Sequence, residues 1–213
     1  MEQILTNHNH IMELLGAFLT GIVGPVLYLL IDKYLQKQKE KNTDRVKDHI
    51  ANTCIIEDEL EEIREEFGSD RVWISQFHNG GNFYPTGKSI QKFSIFYEVT
   101  KAGVSTVSHV FNNIPTSLYP RAFSHMLHDD EKGIYIPDFN DTKIPTWGLK
   151  GAAESVGTQS SYVIPLFTLN NKYIGVLGVD YVIKKKRMSK DEWEHLQIKA
   201  NRIAGYLSSY LEK

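Results

Sequence analysis

Eighteen consecutive residues, Leu14 to Ile31 (LLGAFLTGIVGPVLYLLI), carry no charge. A helix of that length rises about 27 Å at 1.5 Å per residue, close to the hydrocarbon thickness of a bilayer. Glu13 bounds the run on one side, Asp32 and Lys33 on the other. A soluble core helix keeps a polar stripe on its outer face, and this segment has none. Gly16, Gly21, Gly24 and Pro25 would weaken a helix in water but are tolerated inside a membrane. The pattern predicts an N-terminal tail at 1–10, a transmembrane helix at 11–31, a basic helical linker at 32–43 and a soluble domain at 44–213. The averages of 41% hydrophobic and 23% charged residues conceal this asymmetry.

Charge around the apolar run sets the expected orientation. The first thirteen residues hold no Lys or Arg, whereas Lys33, Lys37, Lys39, Lys41, Arg45 and Lys47 follow the run closely. A cleaved signal peptide needs a basic start and a small-residue cleavage site, and neither is present. The segment reads as a retained single-pass anchor in an inner or plasma membrane, with the C-terminal domain on the cytoplasmic side. Lys33, Lys37, Lys39 and Lys41 are placed to face anionic lipid, so the bilayer is an expected partner. One cysteine, Cys54, forms no internal disulfide, which agrees with a reducing compartment.

Beyond the linker, Val46, Ile50, Cys54, Ile56, Leu60, Ile63 and Phe67 recur mostly at three and four residues, an amphipathic helix that Gly68 ends. The glutamates at 57, 59, 61, 62, 65 and 66 are expected on its solvent side, and Cys54 in its core. Residues 71–77 alternate Val72, Ile74 and Gln76 against Trp73, Ser75 and Phe77, a strand pattern. Ser89–Val99 is a second strand, 117–128 a short helix on Leu118, Ala122 and Met126, and Ile134–Pro137 a short strand. Residues 138–160 are read as loop. Strands at 161–167 and 173–181 flank the hairpin turn Thr168-Leu-Asn-Asn-Lys172. Ser189 with Glu192 forms a capping box that opens a helix whose apolar face is Trp193, Leu196, Ala200, Ile203, Leu207 and Leu211. This helix and the one at 44–67 are expected side by side on one face of an antiparallel sheet.

Val163-Ile-Pro-Leu166, the turn, Tyr173-Ile-Gly-Val-Leu177 and the helix entered at Ser189 resemble a GAF domain over about residues 44–211. The resemblance implies an α+β, GAF/PAS-like fold with a pocket between the sheet and the irregular middle segments. It also implies small-ligand or protein binding and dimerisation through the flanking helices, without enzymatic activity. No cysteine in the middle segment could hold a bilin covalently, and no cofactor is assigned. Chemistry alone nominates His78, Asn79, Asn82, Tyr97, Glu98, Arg121, Tyr135 and Trp147 as ligand-binding residues, because they offer hydrogen bonds and stacking surfaces.

Catalytic motifs are not met. Gly87-Lys88-Ser89 resembles the end of a phosphate-binding loop, but Asn82 stands where the motif needs glycine, and a strand follows instead of a helix. His125 and His128, near Asp129 and Asp130, lack a third ligand at suitable spacing, so no metal site is assigned. The run Lys184–Arg187 fits a solvated turn, and no nucleic-acid partner is assigned. The anchor-plus-domain layout, with the ending from Pro165 to Ala204, is also similar to the T-even bacteriophage holin family. That alternative implies oligomerisation, host lysis and a periplasmic domain. It conflicts with basic residues that follow the apolar helix.

Overall fold

The computed structural model describes residues 19–42, 45–128 and 133–211. The chain divides into two units, 1–48 and 49–213. In the first, a π-helical turn at Leu19–Val23 leads into helix α1, Gly24–Asn42. Pro25 has no N–H to donate, so regular α-helical pairing fails at that point. The span expected at 11–31 begins outside the described residues, and the tail at 1–10 lies wholly outside them. Among the described residues no helix is long and apolar enough to cross a membrane. Ile22, Val26, Leu27, Leu29, Leu30 and Ile31 are all exposed. Lys33 is exposed, and Lys37, Lys39 and Lys41 lie along the α1 backbone.

The second unit is built on a six-stranded antiparallel sheet. Its strands are β1 (Arg71–Asn82), β2 (Ser89–Thr100), β3 (Ile114–Pro115), β4 (Ile134–Ile136), β5 (Ser160–Phe167) and β6 (Tyr173–Tyr181). Their order is β3-β2-β1-β6-β5-β4. The first and last strands of the domain therefore meet at the centre. Helices α2 (Arg45–Glu66) and α5 (Lys190–Leu211) flank the sheet in sequence, and α3 (Pro120–His128) and α4 (Lys150–Ser155) arise between strands.

One sheet face packs on α2 and α5. Ile56, Leu60 and Ile63 of α2, and Phe67 just after it, join Leu196, Ala200, Ile203, Ala204 and Leu207 of α5 in a single core, with Val72, Ile74, Ile164, Leu177 and Val179 beneath them. The expected side-by-side helices are present. Three of the α2 glutamates do more than face solvent. Lys199 of α5 lies 2.9 Å from Glu62 and 2.8 Å from Glu66, and Arg202 pairs with Glu59 and Glu62. The Lys199 ammonium holds the Glu62 carboxyl below the usual carboxylate range.

Both ends of the helices follow local chemistry. Gly68 adopts a positive φ of 60°, and the Ser69 N–H reaches back to the Arg64 carbonyl at 3.0 Å, satisfying an orphan carbonyl at the end of α2. At α5 the capping box closes in both directions. The Glu192 N–H donates to Ser189 Oγ at 3.2 Å, and the Ser189 N–H donates to Glu192 Oε2 at 2.7 Å. In the β5–β6 turn Asn171 takes φ 57° while Thr168 and Lys172 close the hairpin.

Three expectations change, and β2 adds an irregularity. Cys54 is exposed, as are Val46 and Ile50, because the α2 core contacts begin only at Ile56. Leu118 is exposed, since a 3₁₀ turn occupies Thr116–Leu118 and the α-helix starts at Pro120, where a missing N–H costs nothing. Residues 138–160 contain α4. Finally, β2 carries a bulge. Ile74 pairs with Tyr97 but Ser75 pairs with Ile95, leaving Phe96 without a ladder partner and exposed.

Candidate functional site

The sheet face opposite α2 and α5 forms the floor of a cavity. Strict alternation in β1 sends Val72 and Ile74 to the helical core and turns Trp73 and Ser75 toward the cavity. Asp180 of β6 and Ser161 and Val163 of β5 continue the floor. Tyr119, Ala122, Phe123 and Met126 from and beside α3, with Ala152 and Ala153 of α4, form the cover. Phe93, Phe111 and Phe139 complete an almost wholly apolar wall. The cavity volume is ≈ 60 Å³, room for about two waters at roughly 30 Å³ each.

Gly178 allows this floor to exist. It is the cross-strand partner of Trp73, and the indole lies in the space a side chain at 178 would take. The ring then reaches Asp180, with Trp73 Nε1 donating to Oδ2 at 3.0 Å. Arg71, fully buried and directly across from Asp180, donates to the same oxygen through Nε at 3.0 Å and Nη2 at 2.8 Å. Ser161 Oγ donates to Oδ1 at 2.6 Å. Arg71 also donates to the Ser105 carbonyl at 2.6 Å and to the Thr158 hydroxyl. A buried charge pair with this many hydrogen bonds is internally compensated.

One polar group at the cavity is not compensated. Ser75 is fully buried, lines the cavity, and its Oγ has no hydrogen-bond partner among the described residues. An unpaired buried hydroxyl costs about 1–3 kcal/mol. Tyr119, also in the wall, has its phenol pushed above its ordinary value by burial, so it stays neutral.

None of the eight residues nominated from sequence lines the cavity. His78 pairs through Nε2 with Ser94 Oγ at 2.9 Å. Asn79 accepts from Gln91 at 3.2 Å, and Asn82 is exposed at the end of β1. Tyr97 is buried in the helical core, because the β2 bulge turns it to the opposite sheet face from Ile95. Glu98 accepts the backbone N–H groups of Val107 at 2.6 Å and Ser108 at 3.0 Å, and lies 4.0 Å from Arg71. Arg121 is exposed on α3. Tyr135 stacks on Tyr162 at 4.2 Å on the helical side. Trp147 stacks on His125 at 4.7 Å and covers the outside of the cavity's apolar cluster.

Among the described residues no group of three metal-ligating side chains occurs; Asp129 and Asp130 lie outside them. Residues 87–89 close the β1–β2 hairpin, with the Gly87 N–H on the Phe83 carbonyl at 2.8 Å. In the basic run, Lys185 pairs with Asp138, and Lys186 bridges Glu192 and the Phe67 carbonyl. The cavity residues themselves had one legible signal. Asp180 is the one charge in the otherwise apolar strand β6.

No protein-family model matches the chain, and no curated protein matches it by sequence. Solved structures do match. The blue-light absorbing form of the Thermosynechococcus elongatus PixJ GAF domain superimposes with TM-score 0.55 at 14% identity, over 76% of this chain and 86% of that one. A phycoerythrobilin-bound GAF domain from a cyanobacterial phytochrome gives TM-score 0.55 at 19% identity, over 80% of this chain and 92% of its own. The photoproduct state of a Synechocystis GAF domain gives 0.54 at 16%, over 76% and 97%. These likenesses establish the fold: the domain is GAF-like, as the strand and turn pattern near its C-terminus implies.

Proposed function

We propose that this chain is a non-enzymatic, membrane-anchored sensory module whose GAF-like domain binds a small ligand in the cavity beneath α3 and α4. The observation that carries this reading is an aromatic cavity with a compensated ionic floor and one unpaired hydroxyl, at the sheet face left free by the helices. Bound pigment in a structural neighbour of the same fold supports it. The exposed apolar residues of α1, with the basic residues that follow them, support anchoring with the domain at the cytoplasmic face. Ile50 and Cys54, four residues apart on α2, remain exposed, a surface suited to helix-mediated dimerisation.

Two experiments test this. Thermal-shift screening of the full chain in detergent against nucleotides, tetrapyrroles and small aromatics is expected to yield a stabilising ligand; silence across the set removes the binding role. Dual reporter fusions at the C-terminus are expected to report the cytoplasm. A periplasmic signal, with lysis on overexpression, would favour the holin-like alternative instead.

A further inference from the structure

We propose that the two hairpin tips at one end of the sheet, residues 83–88 and 168–172, dock on an anionic lipid surface. The inference rests on the anchored reading above only in that anchoring keeps a bilayer within reach.

Strand register brings the tips together. β1 and β6 are antiparallel neighbours, with Gln76 opposite Gly175. β1 therefore runs toward the end of the sheet at which β6 starts. The turn from β1 to β2 stands at the same end as the turn from β5 to β6. Each tip is closed by its own hydrogen bonds. The Phe83 N–H donates to the Lys88 carbonyl and the Gly87 N–H to the Phe83 carbonyl, both at 2.8 Å. In the other tip the Asn171 N–H donates to the Thr168 carbonyl at 2.9 Å, and the Lys172 N–H to Thr168 Oγ1 at 3.0 Å. These closed turns hold apolar side chains out in solvent: Tyr84 is 97% exposed, Leu169 98% and Phe83 53%. One exposed apolar residue is ordinary on a protein surface, but three on two tips at one end of a sheet make a patch.

Charge selects what covers it. Residues 71–97 and 155–179 contain no Asp or Glu, so neither tip carries a negative side chain. Lys88 and Lys172 are exposed on the tips. Lys92 lies across Gly80, its stem filling the space that a side chain at 80 would take. A tyrosine ring is apolar with a polar end, which suits the headgroup level of a bilayer, where lysines meet anionic lipid. A fluid surface also accepts two projecting tips without a matching groove, which a protein partner would have to supply.

The test places the full chain in nanodiscs of phosphatidylcholine, alone or mixed with phosphatidylserine, each with a nitroxide-labelled headgroup lipid. Broadening of NMR amide signals reports approach to lipid: Gly87 and Leu169 for the tips, Leu29 for α1, and Lys101 for the opposite end of the sheet. Gly87, Leu169 and Leu29 are expected to broaden and Lys101 to stay sharp, with the tips responding more strongly to phosphatidylserine. Lys88→Gln is expected to lower the ratio of docked to free tips about fivefold, the weight of one lysine at such a surface. Combining Tyr84→Ser with Leu169→Ser is expected to abolish broadening at the tips and keep it at Leu29, an unchanged Trp73 indole signal showing that the fold is intact. Broadening at Leu29 without the tips would overturn the docking surface and leave the anchor. Broadening at the tips without Leu29 would support docking and overturn the anchor. Equal broadening in the two lipid mixtures would overturn the recognition of anionic charge. Tip signals that ignore lipid and shift with protein concentration would make the tips a contact between copies, overturning the proposal.

Discussion

The Trp73 indole occupies the volume that a side chain at Gly178 would need. A Cβ at 178 would fall 2.1 Å from ring atom Cε2 and 2.2 Å from Cζ2. This close approach fixes the indole on the sheet and aims its N–H at Asp180. Gly178→Ala is therefore expected to displace the ring and cost about 1–3 kcal/mol, the usual range for overpacking. Guanidinium unfolding gives the stability, and tryptophan fluorescence reports the moved ring. An unchanged midpoint and spectrum would show that the strands part easily.

Arg71 and Asp180 are both at most 5% exposed and hold each other across the central strand pair. Removing one charge strands the other in the interior. Arg71→Ala is expected to destabilise the domain by about 3–5 kcal/mol, in contrast to an exposed pair such as Lys190–Glu194, worth about 0–1 kcal/mol. Comparison of the two variants by chemical denaturation checks this; equal losses would mean that water reaches Arg71.

Helix α2 has two regimes. Leu60 is fully buried between the sheet and α5, whereas Ile50 is 57% exposed. Leu60→Ala is expected to lose about 2–5 kcal/mol. Ile50→Ser should alter the domain's own stability by no more than about 0.5 kcal/mol, while weakening self-association in analytical ultracentrifugation. If Ile50→Ser leaves association intact, the exposed stripe is not the dimer surface.

The capping box at α5 makes a pH-dependent contribution. Lys186, and then the Ser189 backbone N–H, hold the Glu192 carboxyl below its ordinary value of 4.5. A carboxyl depressed in the folded state stabilises fully above its unfolded value and loses that contribution as pH falls through the folded one. The stability gap between the native chain and Glu192→Ala is thus expected to be constant near neutrality and to shrink below pH 4.5. A gap that widens on acidification would contradict the assignment. The Glu192 side chain is 38% exposed, so solvent screening keeps the effect small.

The parts of this fold written in local chemistry are readable from the residues. Gly68, the Ser189–Glu192 box and the Thr168–Lys172 turn each act within a few positions, and each forms as the pattern implies. The site is different. Arg71 and Asp180 are 109 residues apart, so their pairing depends on the sheet order alone. Phe93, Phe111 and Phe123 have the composition of any core, and nothing in their spacing distinguishes a cavity wall from a filled interior. Selecting polar side chains by chemical type led instead to positions outside the cavity lining, such as His78 on the β1–β2 pair and Tyr97 in the helical core. Phe93, Ile95 and Tyr97 share one parity in the sequence, yet Tyr97 faces the other way.

That reversal comes from Phe96, the residue of β2 that β1 does not answer. Its presence means the strand has a seam. Pairing above it, from Thr100 to Tyr97, and below it, from Ile95 to Lys92, is set independently against β1. The chain can shorten by one residue at this point and keep both sets of partners, together with the faces to which they belong. Loss of a residue on either side of the seam would instead shift one set against its neighbours, exchanging cavity wall for helical core.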